Sequence, residues 1–200
     1  MNKNAKLVVI SGPSGVGKDS IIEKMCEDIA VHKYIVTVTT REKRPGEIDG
    51  KHYHFITKSN FDHMIEKNEL LEWAMVYGYY YGVPRKDVID SLGKHETVII
   101  KVDVQGALSI KKSVSGAVFI FIMPPSESVL YERLINRGYI SEEDLQRRFS
   151  IARDEMNKID YFDYVVENNT DNIESAVSDI KSIITAERCR VNPEQIRIPL

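Results

Sequence analysis

The stretch Gly12-Pro13-Ser14-Gly15-Val16-Gly17-Lys18 constrains this chain more than any other. An apolar run, Lys6-Leu7-Val8-Val9-Ile10-Ser11, precedes it and reads as a buried strand. Ile21, Ile22 and Met25 follow it, spaced as on a helix that packs one face against a sheet. Strand, glycine-rich turn and helix together form the setting of a phosphate-binding loop. Glycines at 12, 15 and 17 let the backbone turn tightly and aim several N–H groups inward. The helix behind adds free N–H groups and a positive dipole end. Lys18 supplies a mobile cation that can follow charge between β- and γ-phosphates. The pattern asks for Ser or Thr after the lysine, and this chain has Asp19, then Ser20. Either Ser20 takes over a phosphate or water contact, or a metal there is held mainly by water and nucleotide. A carboxylate beside a triphosphate is repulsive unless something screens it.

The 200 residues suit one compact domain with inserted lobes, and a 42% hydrophobic content can supply its core. A formal charge of −3 gives no basic footprint for nucleic acid, so anion binding must come from local clusters. No apolar run reaches membrane-spanning length, and the N-terminus runs into the first strand without a signal-peptide core. Cys26 and Cys189 have no metal or redox spacing and suggest a reducing compartment. A cytoplasmic protein with no membrane partner is expected; the oligomeric state stays open.

Along the chain, Tyr34–Thr39 reads as a second strand leading into a charged, turn-rich stretch that runs from Arg41 to Tyr53. That stretch is either a solvated loop or an anion site in which Arg41 and Arg44 present donor forks and Tyr53 a hydroxyl. Asn60–Asn68 reads as a helix, and Leu70–Tyr77 as a strand whose Glu72 faces either water at an edge or a pocket. Tyr77-Gly78-Tyr79-Tyr80-Tyr81-Gly82 is either a core hairpin or a platform for a planar base. Pro84 fits the first turn of a helix that runs to about Leu92. Thr97–Asp103 reads as a central strand whose end would line the ligand crevice of a parallel sheet, placing Asp103 near the phosphate loop. Ala117–Met123 is a third apolar strand. Two helices rich in arginine follow: one from Ser126, an expected N-cap, to Asn136, and one opening at Ser141. They form either a salt-bridged surface or a lid that swings guanidiniums onto a polyphosphate. Tyr164–Glu167 reads as a late strand, Ile173 to about Arg190 as a closing helix, and the last ten residues carry no signal.

Several segments together resemble the guanylate kinase family of nucleoside-monophosphate kinases. They are Ser11 to Lys18, then Thr39-Thr40-Arg41-x-x-Arg44-Pro45-Gly46-Glu47-x-x-Gly50-x-x-Tyr53, and Glu72-Trp73-Ala74. Tyr80-Tyr81-Gly82, Val102-Asp103-x-Gln105-Gly106, and Arg133-x-x-x-Arg137-Gly138 with Arg148 complete the set. The arginine–tyrosine block discriminates, since many ATPases carry a phosphate loop and few carry that block. The resemblance implies an α/β fold of the P-loop type, with a parallel sheet flanked by helices. It implies a core made of residues 1–36, 94–125 and 155–200, a mixed α/β GMP-binding lobe at 37–93 and a helical lid at 126–154.

By the same resemblance, ATP and GMP are the substrates, with Mg²⁺. Gly12, Pro13, Ser14, Gly15, Val16, Gly17, Lys18, Asp19 and Ser20 would hold ATP, Asn168 would touch its adenine, and Ser20 would be the one side chain near the metal. Arg41, Arg44, Tyr53 and Tyr81 would hold the GMP phosphate, with Thr37, Glu47 and Val83 in the same lobe site. Glu72 and Asp103 would read the base. Lys18, Arg41, Arg133, Arg137 and Arg148 would form the catalytic cation set. The chain departs from the family at four places: Thr37 stands for the frequent Ser, Val83 for a hydroxyl that contacts guanine, Lys101 for the first acid of Asp-x-Asp, and Asp19 in the loop. Two rivals stand beside this reading. Ribose 1,5-bisphosphate phosphokinase shares Gly17-Lys18-Asp19-Ser20 and Tyr81-Gly82-Val83 but generally lacks the Arg41–Tyr53 block. Guanylate-kinase-like phosphopeptide-binding modules usually have an eroded phosphate loop.

Overall fold

A computed structural model describes residues 5–26, 32–94, 97–136 and 141–199. Strand β1 (Lys6–Ser11) passes through the phosphate loop into helix α1 (Lys18–Cys26). Then come β2 (His32–Tyr34), β3 (Val38–Thr39), β4 (His54–Phe55), α2 (Lys58–Glu66), β5 (Leu70–Val76), β6 (Tyr79–Pro84) and α3 (Arg85–Leu92). The second half runs β7 (Thr97–Lys101), α4 (Val104–Ser113), β8 (Val118–Met123), α5 (Glu127–Asn136), α6 (Glu142–Met156), β9 (Tyr164–Glu167) and α7 (Ile173–Arg188).

The main sheet has the order β2-β7-β1-β8-β9, and every pairing in it is parallel. A parallel sheet is covered on both faces by crossover helices, so its central strands β1, β7 and β8 are buried almost throughout. The side chains divide by the period of two. Leu7, Val9, Val98 and Ile100 pack with Val88, Leu92, Ala107 and Ile110 on one face. Val8, Ile10, Ile99 and Ile120 pack with Ile21, Met25, Val177 and Ile180 on the other. β1 lies between β7 and β8, so the loop after it opens at the carboxyl ends of the strands, where open α/β sheets bind ligands.

A smaller sheet, β4-β3-β6-β5, is mixed: β3 and β4 are parallel, while β6 runs antiparallel to both β3 and β5. Its Leu71 and Val83 belong to the same packed cluster as Leu7 and Val9, so it is rooted in the main core. Phe61, Val38 and Leu70 fill its other face.

The structure corrects the expected strand Tyr34–Thr39. The Ile35 N–H still bonds the Ile99 carbonyl (2.9 Å) in the main sheet, whereas the Thr37 carbonyl accepts from His54 (2.9 Å) in the smaller one. The apolar run is therefore the passage between two sheets. α2 starts earlier than expected because Thr57 caps it, accepting from the Asn60 N–H at 3.2 Å. Pro84 is the N-cap of α3 rather than a first-turn residue. β7 ends at Lys101, and Asp103 caps α4, a helix absent from the sequence reading. The C-terminal segment docks: Arg197 and Ser115 exchange backbone hydrogen bonds (3.2 Å each), and Ile196 and Ile198 pack on the core.

At Gly12, with φ +143°, an added Cβ would lie 2.4 Å from the Ile122 carbonyl oxygen. Gly12→Ala is expected to cost at least ~2 kcal/mol, from backbone strain and that contact together. The fall in the urea unfolding midpoint measures it.

Candidate active site

The phosphate loop is held from behind. Val16 is fully buried, and its carbonyl accepts from Arg133 Nη1 (3.1 Å) and Asn168 Nδ2 (2.7 Å). Arg133 Nη2 reaches the Asn168 carbonyl (2.9 Å) and Thr170 Oγ1 (3.1 Å). A side chain at Gly17 would collide with Asn168 Nδ2 at 2.4 Å. Arg133 and Asn168, expected at the polyphosphate and the adenine, thus brace the loop that a phosphate would enter. Arg137, expected beside Arg133, lies outside the described residues. Ser20 is exposed in the first turn of α1.

In front of the loop a single crevice is lined by Gly12, Ser14, Gly15, Gly17, Lys18 and Asp19, and by residues from four other segments. Lys18 Nζ donates to the carbonyls of Gly12 (2.5 Å) and Pro13 (3.0 Å) at the loop's own start. Asp19 is paired with Lys101, which is 7% exposed at the end of β7. Burial works against the Lys101 charge, but Tyr34, Asp19 and Tyr53 outweigh it and hold the ammonium well above the ordinary lysine range. A phenol is neutral at pH 7 and burial pushes both of these higher still, so at that pH the charge beside Lys101 is Asp19's.

The arginine–tyrosine block forms the next wall. Arg41 is 8% exposed and forks onto Glu47, Nη1 at 3.0 Å and Nη2 at 2.7 Å, while its Nε donates to the Tyr81 hydroxyl at 3.2 Å. Glu47 also accepts from the Arg44 N–H (2.7 Å) and so locks the turn carrying both arginines. Burial opposes its ionisation, yet Arg41 and the Arg44 N–H draw its carboxyl below the usual range. Tyr53 and Tyr81 meet edge to face, 5.9 Å between centroids, and Arg41 Cζ lies 5.5 Å from the Tyr53 ring. Arg44 and the buried Thr37 line the same space.

The far end is a carboxyl pocket. Glu72 on β5 is 7% exposed, and its Oε1 has no hydrogen-bond partner among the described residues. Burial first, and Asp103 second, push its pKa up to about 8. Beneath it is Gly106 of α4, where any Cβ would lie 2.8 Å from the Glu72 carboxyl carbon. The neighbouring strand presents Val83, fully buried, in register with Glu72. Asp103 lines the crevice too, with Oδ1 committed to the Gly106 N–H at 2.6 Å.

Two further residues complete the crevice: Tyr77, which the sequence places in a hairpin or base platform, and Glu155, which sequence reasoning did not single out. Tyr77 and Gly78, with φ of 51° and 83°, form the two-residue turn between β5 and β6. The Tyr77 ring sits 5.0 Å from Arg148 Cζ, so the tip of the small sheet touches α6. The Tyr-Gly pair between apolar runs signals the turn but not its contact. Glu155, also on α6, accepts from the Ser14 N–H at 3.3 Å at the loop's mouth. Burial raises its pKa, although Lys18 pulls it back. Nothing in the helical pattern of α6 distinguishes Glu155 from its exposed neighbours.

Glu72 makes the fold pH-sensitive in a definite direction. The unfolded chain releases this proton near an ordinary glutamate pKa, about 4.3, and the folded chain only near about 8. Stability contributed by the protonated form is therefore lost progressively as pH rises through that window. Glu72→Gln removes the loss. The variant is expected to be a few kcal/mol more stable than the parent near pH 9 and to converge with it near pH 4, as read by urea unfolding.

Comparison with known proteins agrees with this geometry. The family profile described as guanylate kinase matches residues 4–187. The guanylate kinase of Carboxydothermus hydrogenoformans is 44% identical over 194 residues, covering 97% of this chain and 94% of the relative. Guanylate kinase 2, chloroplastic/mitochondrial, of Oryza sativa subsp. japonica is 44% identical over 193 residues, covering 96% of this chain and 68% of the relative. The crystal structure of guanylate kinase from Anaplasma phagocytophilum superposes with a TM-score of 0.78 at 31% identity, covering 96% of this chain and 90% of that one. With the phosphate loop, the arginine–tyrosine wall and the carboxyl pocket in one crevice, and with relatives this similar over nearly its whole length, the chain belongs to the guanylate kinase family.

Proposed function

We infer that this family member is an enzyme that transfers the γ-phosphoryl group of ATP to GMP, giving ADP and GDP. One observation carries the reading: the phosphate loop and the Glu72 carboxyl line the same crevice. Guanine presents an N1–H and an N2 amino group on one edge, and the Glu72 carboxylate can accept both. Adenine has neither donor there and would leave the buried acid unsatisfied. Asp103 flanks this contact, and Thr37 and Val83 shape the walls.

Arg41, Arg44, Tyr53 and Tyr81 are assigned to the GMP phosphate, with Glu47 holding the Arg41 fork in position. A phosphate monoester has a second pKa near ~6, so the attacking oxygen needs no protein base. The barrier is the approach of two anions, and neutralisation with alignment lowers it. Lys18 follows the charge between β- and γ-phosphates, and Arg148 arrives from α6. Arg133 keeps the loop in shape from behind. Residues 37–93 act as the GMP-binding lobe and 126–154 as the lid, closing on a core of 1–36, 94–125 and 155–200 to keep water from the phosphoryl group.

Among the described residues, no group of three or more His, Cys, Asp or Glu could hold a metal ion by itself. The donor set suits a magnesium ion carried on the nucleotide's phosphates and water, with Ser20 as the nearby hydroxyl. Magnesium there would neutralise phosphate charge. Among the described residues no helix is long and apolar enough to cross a membrane, and Cys26 and Cys189 are free thiols. GMP phosphorylation would place the enzyme in purine nucleotide metabolism, and free thiols suit a reducing compartment such as the cytoplasm.

A coupled ADP-release assay with GMP, dGMP, AMP and ribose 1,5-bisphosphate tests the reading. GMP is expected to exceed AMP by at least ~10³ in kcat/KM; absence of GMP turnover overturns it. Lys18→Ala is expected to stay folded and lose roughly 10³-fold or more in kcat. Guanine's donors favour the ionised form of Glu72, so GMP binding releases a proton. GMP affinity should rise with pH and level off above about 8. Calorimetry in buffers of different ionisation enthalpy measures that proton.

A further inference from the structure

Asp19 and Lys101, two positions where the chain departs from the family pattern, face each other: Lys101 Nζ donates to Asp19 Oδ1. The lysine is 7% exposed and the aspartate 46%. The ammonium lies 4.3 Å from the centroid of Tyr53, the ring whose hydroxyl is assigned to the GMP phosphate. Both members of the pair line the crevice shared by Lys18, Arg41 and Arg44. We propose that Lys101 is a further phosphate-binding residue of the GMP site, masked by Asp19 until the GMP phosphate arrives.

The proposal rests on the reading of the crevice as a GMP site and adds a residue to it. A cation at the crevice floor beside Tyr53 is placed where a dianionic phosphate needs donors, and a phosphate dianion outcompetes a single carboxylate for an ammonium. Asp19 can give up its partner at little cost. It is half exposed, and it sits in the first turn of α1, where the helix dipole favours an anion. Before the exchange the pair is neutral, so Asp19 carries no net repulsion toward an incoming triphosphate. A buried ion pair kept only as a brace is, by contrast, a weak source of stability.

The experiment is calorimetric binding of GMP and of guanosine, without ATP, to the parent, Lys101→Met, Asp19→Asn and the double variant. Lys101→Met is expected to weaken GMP about tenfold and to leave guanosine unchanged. Asp19→Asn unmasks the ammonium and is expected to tighten GMP several-fold, again without effect on guanosine. The double variant should match Lys101→Met. The assignment is overturned if Asp19→Asn leaves GMP binding unchanged or weakens it, or if the variants shift guanosine as much as GMP; each marks a structural brace. Should Lys101→Met fold poorly, the sign of the Asp19→Asn effect decides alone, since that variant keeps the lysine. A parent that binds neither GMP nor guanosine defeats the GMP site itself and this assignment with it. A parent that binds both while Asp19→Asn does nothing defeats only Lys101.

Discussion

Lys18, Arg41, Arg44, Lys101 and Arg148 all face one crevice, and like charges held so close would push apart the elements that carry them. The fold answers with acids drawn from elsewhere in the chain. Glu47 takes the Arg41 fork and Asp19 takes Lys101, while Lys18 folds back onto the carbonyls of Gly12 and Pro13. Glu155 occupies an N–H of the phosphate loop itself. On the proposed function, each such contact puts a protein oxygen on a donor assigned to a phosphate oxygen or beside one, so the donors would be aimed before substrate arrives and binding would exchange one oxygen for another.

The same constraint explains which parts of the protein were legible in its sequence. β1, β7 and β8 are buried on both faces, so their uninterrupted apolar runs announce them. Arg41, Arg44 and Tyr53 were legible as a candidate group, and they do line one crevice. Their partners were not. Nothing local tells that Glu47 doubles back on Arg41, or that Asp19 and Lys101, 82 positions apart, meet. Arg133 and Arg148 look alike on their helices, yet one grips Val16 from behind and the other enters the crevice. The run from Tyr34 to Thr39 failed as a single strand for a related reason. Periodicity reports that residues are buried, not which sheet pairs with them. α4 escaped notice because Gly106 and a polar C-terminal end dilute its apolar face to Val104, Ala107 and Ile110.

In the proposed GMP site, Val83 offers no hydroxyl, so recognition of the guanine edge would fall on carboxyls, and Asp103 has already given one oxygen to the helix it caps. Glu72 is left with an oxygen that has no partner among the described residues, in a pocket that raises its pKa to about 8. An acid in that state penalises the free protein, and the penalty is relieved only by a ligand that brings donors to it. Gly106 is what makes the arrangement possible, because any side chain there would push the carboxyl out of the pocket. On the proposed function, the strain of burying Glu72 and the selectivity for guanine would be the same free energy, held by the fold as instability and recovered by the matching base as binding.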